Sequence, residues 1–136
     1  MTARGEDILA YLDRAISKTE KTARAAAEDT ELGWTDGDEL GDAVYGATYV
    51  GTIASDPYGF MSEGTRSHIA LHDPESVLRR CAADRKLIAE HGPCSDQDLG
   101  CKGCGFNNQE ESMVDHYEDC PVLLHLAEGY GWTEGE

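Results

Sequence analysis

The sequence predicts an α+β fold with a long N-terminal helix, a small antiparallel sheet of two or three strands, and a helical C-terminal half that contains a zinc-stapled loop. Apolar residues recur at helical spacing before residue 30, and β-favouring stretches separated by glycine and aspartate follow. Four of the five cysteines then lie within residues 94–120. These three observations carry the prediction of the fold class.

We expect one domain of 136 residues, because a chain of this length is typical of a single small domain. Its predicted parts are a helix over 1–30, the sheet over 31–61 and helices over 62–92. The zinc-stapled loop covers 93–120, which we name the cysteine loop, and a last helix covers 121–130.

The first helix is predicted from Glu6 to about Glu28, where neither glycine nor proline interrupts the pattern. Its apolar residues form one stripe suited to burial: Ile8, Leu9, Leu12, Ala15, Ile16, Ala23 and Ala26.

The sheet is predicted from β-favouring residues in 32–35 and 44–53. Glycine and aspartate between these stretches are typical of turns. Trp34 is the natural aromatic plug between this sheet and the helices. A sheet of this size is not stable alone, so it has to pack on another element.

Helical signals return after Ser62, first as a short helix around residues 66–71. Asp73 is then a suitable N-cap, with Pro74 as the first residue of a second helix that stops at Gly92. Cys81 lies within this helical pattern and is expected to be a small buried side chain. The last helix begins at Pro121 and is apolar almost all round, which predicts central burial.

The charge and hydropathy of the chain argue against several classes of protein. The sequence has 27 acidic and 11 basic residues, for a net charge of −16, which argues against binding nucleic acid by neutralising phosphates. No window approaches a membrane span, and the N-terminus has acids where an export signal needs apolar residues. We therefore expect a cytoplasmic protein whose thiols stay reduced.

The acidity is uneven along the sequence. Residues 31–64 contain seven acidic and no basic side chains, and residues 93–136 contain ten acids and only Lys102 as a base. A surface of this kind keeps a small protein soluble, and it can also attract a basic partner.

The cysteine loop has the spacing of a metal site. Cys101 and Cys104 form a C-x-x-C-G knuckle, in which two thiolates can bind one ion and Gly105 permits a positive φ. Cys120 is the best third ligand, because thiolates are favoured at the start of a helix. The fourth ligand is open between Cys94 and His91, with His116 as a third choice.

Zinc is the default ion for such thiolate-rich sets. Four ligands from the protein leave no open position, so the predicted site is structural and not catalytic. The cysteine loop has few apolar side chains, and metal binding would supply the folding energy that it lacks.

Two histidines offer a different chemistry. His68 and His72 are four residues apart, hence on one face of a helix, and a hydrolytic metal centre with a nearby carboxylate is the enzymatic alternative. The pair lacks the glutamate of the H-E-x-x-H motif. We favour the interpretation that these histidines bond to the backbone or to carboxylates at the corner between two helices.

The run from His68 to Arg80, which reads HIALHDPESVLRR, resembles a family of uncharacterised actinobacterial and actinophage proteins. The family pattern continues with a C-x-x-C-G knuckle, matched by Cys101 and Cys104, and with a C-P segment, matched by Cys120. The resemblance spans most of the chain and includes a histidine near position 91, which favours His91 over Cys94 as the fourth ligand. It departs at His125, where arginine is usual, and in residues 129–136.

These observations predict a non-enzymatic, zinc-binding accessory protein, encoded by a phage or mobile element and acting by protein–protein interaction on a host factor in the bacterial cytoplasm. Its partner is expected to present a basic surface, with no direct binding to nucleic acid or membrane. One alternative is an acidic DNA mimic that inhibits a nucleic-acid-binding protein. The other is the small metal-dependent hydrolase that uses His68 and His72.

Overall fold

The computed structural model describes residues 7–37, 41–48 and 51–133. Within these residues the α-helices are α1 (Ile8–Asp29), α2 (Glu63–Leu71), α3 (Pro74–His91) and α4 (Pro121–Gly129). The strands are β1 (Trp34–Thr35), β2 (Ala43–Gly46) and β3 (Thr52–Ser55), and a short 3₁₀ turn covers Tyr117–Asp119. The predicted α+β class, with its small three-stranded antiparallel sheet, is confirmed.

The chain divides into two compact units. The first unit combines Met1–Lys18 with Ala82–Glu136, and the second is Thr19–Cys81. The single domain expected from the sequence stays a prediction.

The first unit has a core built from α1, the cysteine loop and α4. Its buried members are Ile8, Leu12, Cys101, Tyr117, Cys120, Leu123 and Ala127. Leu123 and Ala127 are fully buried, but Pro121, His125, Glu128 and Gly129 are exposed, so α4 buries one face and is not the centrally buried helix that its apolar sequence predicted. The two cysteines in this core are both predicted metal ligands, so the candidate site is continuous with the apolar core.

The predicted start of α1 at Glu6 lies outside the described residues, and the helix is observed from Ile8. Asp7 caps this helix, because its Oδ1 accepts a hydrogen bond of 3.0 Å from the backbone N–H of Leu9.

The second unit contains the sheet, with antiparallel strands in the order β1-β2-β3. Trp34 pairs with Gly46, and Val44, which is fully buried, pairs with Ala54. The β-favouring stretch 44–53 is not one strand: β2 ends at Gly46 and β3 begins at Thr52, while residues 49–50 lie outside the described part.

Trp34, at the start of β1, is half-buried. Its indole N–H donates to the backbone oxygen of Glu31 at 3.1 Å and to Thr30 Oγ1 at 3.2 Å. A polar ring nitrogen that is partly buried needs such partners. The role of Trp34 as an aromatic plug between the sheet and the helices stays a prediction.

Asp73 joins the sheet to the start of α3. Its Oδ1 accepts a 2.8 Å hydrogen bond from Ser76 N, as expected of an N-cap, and its Oδ2 accepts a 3.1 Å bond from Trp34 N in β1. The helix then runs to His91, before the predicted stop at Gly92. Cys81 is 1% exposed, so its predicted burial is confirmed.

None of the helices in the described ranges combines the length and the apolar character needed to cross a membrane.

Candidate metal centre

Four side chains converge in the first unit, and they are the four predicted from the sequence. The cluster consists of His91, Cys101, Cys104 and Cys120, whose ligand atoms all lie within 4.8 Å of one another. Cys101 and Cys120 are fully buried, whereas His91 and Cys104 are half-buried. A soft imidazole and three thiols in this arrangement could bind a metal ion.

The distances fit the edges of a zinc tetrahedron. Zinc bonds of ~2.3 Å to sulfur and ~2.0 Å to nitrogen imply edges of about 3.8 Å between two sulfurs and about 3.6 Å between sulfur and nitrogen. The Sγ atoms of Cys104 and Cys120 are 3.6 Å apart. The Nδ1 atom of His91 lies 3.4, 3.8 and 3.4 Å from the sulfurs of Cys101, Cys104 and Cys120. Four of the six edges thus have lengths close to those of a zinc tetrahedron, and the two that join the sulfur of Cys101 to the other sulfurs are at most 4.8 Å.

Both helices that flank the cysteine loop supply a ligand at their ends. His91 is the last residue of α3, and Cys120 is the N-cap of α4. The side chain of Cys120 makes no capping hydrogen bond, so its sulfur is directed to the cluster and not to the helix backbone. Pro121 at the first helical position requires no hydrogen bond at its nitrogen.

The knuckle depends on two glycines with different physical roles. Gly105 has a φ of +82°, as the sequence predicted, and the space where a Cβ would lie is open. The need for glycine at residue 103 was not predicted from the sequence. A Cβ there would lie 2.5 Å from the backbone oxygen of Glu90 and 2.7 Å from Nδ1 of His91. A side chain at residue 103 would thus push the knuckle away from the end of α3.

Backbone hydrogen bonds fix the knuckle in place. Lys102 N donates to the carbonyl of Gly92 at 3.1 Å, and Cys101 N donates to the carbonyl of Val114 at 3.1 Å. The knuckle is thereby bonded on one side to the residue that follows α3 and on the other to the later part of the cysteine loop.

The electrostatics of the sulfurs are those of a site that requires a cation. Burial raises the pKa of Cys101, but hydrogen bonds from the backbone of Cys104 and from neighbouring side chains lower it to about 7. Burial and the adjacent thiols raise the pKa of Cys104 to about 12. The protein thus stabilises negative charge at Cys101 and disfavours it at Cys104, and a bound cation would favour the ionisation of both thiols.

A tyrosine supports the last part of the cysteine loop. Tyr117 donates its hydroxyl to Asp7 Oδ2 at 2.8 Å, and its backbone oxygen accepts a bond from Cys120 N at 3.0 Å. Burial, followed by the hydrogen bond to Asp7, raises the pKa of Tyr117 to about 12, so it remains a donor at neutral pH. The same carboxylate that caps α1 therefore positions the residue three before Cys120, a link between distant residues that no sequence spacing indicates.

The other candidates for the fourth ligand lie outside the cluster. Cys94 is half-buried, and its pKa is raised by burial and by the negative charges of Asp98 and Cys101. His116 caps the 3₁₀ turn by accepting a hydrogen bond from Glu118 N at 3.2 Å, and its ring stacks on Tyr117. Of the three residues left open by spacing, the structure brings His91 to the three cysteines.

His68 and His72 do not form such a centre with a carboxylate. Their ring centroids are 4.6 Å apart, and Nδ1 of His72 lies 2.8 Å from the backbone oxygen of His68. Throughout residues 7–37, 41–48 and 51–133, the His91 cluster is the one group of three or more metal-ligating side chains that could hold an ion. The backbone contact agrees with the structural interpretation of this pair.

The match to a known family covers nearly the whole chain. A model of the family of unknown function DUF6221 matches residues 5–131, a range that includes all four members of the cluster. No curated protein and no solved structure matches the chain. The chain therefore belongs to family DUF6221, whose function is unknown.

Proposed function

We propose that this protein binds one zinc ion through His91, Cys101, Cys104 and Cys120, and that the ion is structural. The observation that carries the proposal is the convergence of one imidazole and three thiols within 4.8 Å, with four of the six separations close to the edges of a zinc tetrahedron. Three thiolates and a neutral imidazole match zinc better than the hard cations, which prefer oxygen ligands.

A structural role follows from the number of ligands and from their positions. All four vertices would be filled by side chains, so no position is left for a water or a substrate. The ion would connect the last residue of α3, the knuckle and the residue that precedes α4. Its binding free energy would then stabilise a loop with few buried apolar side chains of its own.

The wider proposal is a non-enzymatic accessory protein, encoded by a phage or mobile element, that acts in the bacterial cytoplasm by binding a host protein. The closed ligand set supports a binding role over catalysis, and the resemblance to actinophage proteins supports the origin. The net charge of −16 supports a partner with a basic surface.

Metal analysis with matched cysteine variants tests the zinc site. Protein purified without an affinity tag that binds metals should contain one zinc per chain by mass spectrometry. Cys104→Ser should abolish stoichiometric zinc, whereas Cys94→Ser should retain it, because Cys94 lies outside the cluster. Cobalt substitution should give the intense visible bands of a tetrahedral thiolate site in the wild type and in Cys94→Ser.

Two results would overturn this assignment. One is full zinc occupancy in Cys104→Ser. The other is loss of zinc in Cys94→Ser with retention in His91→Ala, which would make Cys94 the fourth ligand.

A further inference from the structure

The segment Asp56–Phe60 displays two aromatic rings in the most acidic part of the second unit. Tyr58 is 97% exposed and Phe60 is 80% exposed. Large aromatic side chains with this exposure bury little area in the fold, yet aromatic residues are enriched at protein interfaces. We name residues 56–60 the aromatic loop.

Local hydrogen bonds hold the aromatic loop in the conformation that exposes its two rings. Ser55, at the end of β3, pairs with Ala43, and the N–H of Met61 donates to the carbonyl of Asp42 at 3.3 Å. Both ends of the aromatic loop are therefore fixed at the start of β2. Ser62 follows directly as the N-cap of α2.

Inside the aromatic loop, a turn directs the chain outward. Asp56 Oδ1 accepts a 2.9 Å bond from Tyr58 N, and the carbonyl of Asp56 accepts a 3.4 Å bond from Gly59 N. Pro57 occupies the second position of this turn, where its fixed φ is favourable. The rings are thus presented on a short, hydrogen-bonded turn.

The charge around the aromatic loop selects the chemistry of a partner. Residues 31–64 contain seven acidic and no basic side chains, and Asp56 and Glu63, on either side of the rings, are exposed. Nucleic acids and anionic lipid surfaces are repelled by this charge, and so is a second copy of this chain. A guanidinium group suits both the acidic side chains and the exposed rings, because it pairs with carboxylates and stacks on aromatic faces.

From these observations we infer that the aromatic loop is a docking site for an arginine-rich segment of a partner protein, with Tyr58 and Phe60 stacking on guanidinium groups and Asp56 and Glu63 supplying the charge. This inference rests on the proposed function, since it specifies where a basic partner binds and why arginine is preferred over lysine.

Peptide titration distinguishes the inference from general charge attraction. The full zinc-loaded protein is titrated with fluorescent oligoarginine and oligolysine peptides of equal length. Binding to oligoarginine should be tighter and should weaken as salt is raised, and loss of each stacked ring should weaken it by roughly two- to five-fold. The double variant Tyr58→Ala/Phe60→Ala should lower oligoarginine affinity to the oligolysine level.

Two controls separate the aromatic loop from the rest of the surface. Phe106→Ala/Met113→Ala removes two other exposed apolar side chains, which lie in the acidic cysteine loop, and should leave the arginine preference unchanged. Asp56→Asn keeps the acceptor for Tyr58 N but removes the charge, so it should weaken the binding of both peptides. Zinc content and far-UV circular dichroism verify the fold of each variant.

Each outcome has a distinct meaning. Equal affinity for the two peptides, or an unchanged preference in Tyr58→Ala/Phe60→Ala, overturns the docking site but leaves a basic partner in place. Binding to neither peptide at low salt overturns both the docking site and the basic partner, and leaves the zinc proposal intact. Tighter binding to duplex DNA or to anionic vesicles than to oligoarginine also overturns the inference.

Discussion

The cysteine loop, residues 93–120, and the sheet region, residues 31–61, are both acidic segments that connect helices, but they are held in different ways. The cysteine loop has seven acidic residues and one base, and the sheet region has six acids and no base. In the sheet region, backbone pairing and the burial of Val44 hold the chain. In the cysteine loop, strand pairing is reduced to isolated bridges, and two of the buried side chains are thiols.

The difference shows that regular backbone pairing and individual side-chain contacts can replace one another in stabilising a small fold. Within the short sheet, backbone groups of neighbouring strands pair with one another, and the carboxylate of Asp73 accepts the bond from Trp34 N. An irregular loop lacks that repeating pattern and requires individual anchors. In the cysteine loop those anchors are the His91 cluster and the Tyr117–Asp7 hydrogen bond.

Metal removal should produce the largest difference in stability between the two regions. Structural zinc contributes about 10–16 kcal/mol of apparent binding free energy in small zinc-folded peptides, so its loss should unfold the cysteine loop. Hydrogen exchange after chelation should show loss of protection at Cys101 N and Lys102 N, with Thr35 and Tyr45 in the sheet region retaining theirs. Unchanged exchange at residues 93–120 would contradict a stabilising role for the metal.

Gly103→Ala should have the next largest effect, and it should fall on the cysteine loop alone. The added Cβ would overlap the backbone oxygen of Glu90 and the ring of His91, and such overpacking costs about 1–3 kcal/mol. Zinc affinity, measured by competition with a chromophoric chelator, should fall accordingly.

Gly105→Asn is the matched control for that substitution. Residue 105 has a positive φ and open space around its Cβ position, and asparagine tolerates that backbone conformation. Its zinc affinity should stay close to that of the wild type. Equal losses in the two variants would mean that contact with the end of α3 is not what requires Gly103.

The sequence predicted most of the local structure, because local signals determine it. The boundaries of α3 follow from Asp73, Pro74 and Gly92, and those of α4 from Pro121. The cysteine spacing, together with the position of Cys120 at the start of a helix, predicted three members of the cluster. The fourth needed a resemblance, because spacing does not distinguish His91 from Cys94 when both lie near the end of the same helix.

Contacts between distant residues could not be predicted. The close approach of Gly103 to Glu90 depends on how the knuckle packs against a helix end, and the bond from Tyr117 to Asp7 spans 110 residues. Each of these depends on tertiary geometry and not on periodicity.

Asp73→Ala should have a smaller effect, confined to the unit that contains the sheet. The variant loses the N-cap of α3 and the acceptor for Trp34 N, and the expected cost is about 0.5–2 kcal/mol. Urea unfolding monitored by Trp34 fluorescence, in a Trp132→Phe background, measures it. A cost of zero would show that the cap and the bond to β1 are not what holds this corner.

The contribution of Asp73 should also depend on pH. Burial raises its pKa, but hydrogen bonds from Ser76 and Trp34 and the charge of Arg79 outweigh this and lower it below the usual 3.8. Because the folded-state pKa is depressed, the stabilisation is complete above the unfolded-state pKa of about 3.9 and is lost as the pH falls through the folded-state value. The free-energy difference between wild type and Asp73→Ala should therefore shrink below about pH 4.

Gly64→Ala should have the smallest effect, and its sign should be opposite to that of Gly103→Ala. Gly64 lies in the first turn of α2, and nothing approaches its Cβ position within 4 Å. Alanine there restricts the unfolded chain and favours the helix, so the second unit should gain at most about 0.5–1 kcal/mol. The measurement is again urea unfolding reported by Trp34. The same exchange of glycine for alanine would thus destabilise the cysteine loop at residue 103 and stabilise the unit that contains the sheet at residue 64. Destabilisation by Gly64→Ala would mean that α2 is constrained by contacts that the open space at its Cβ position does not show.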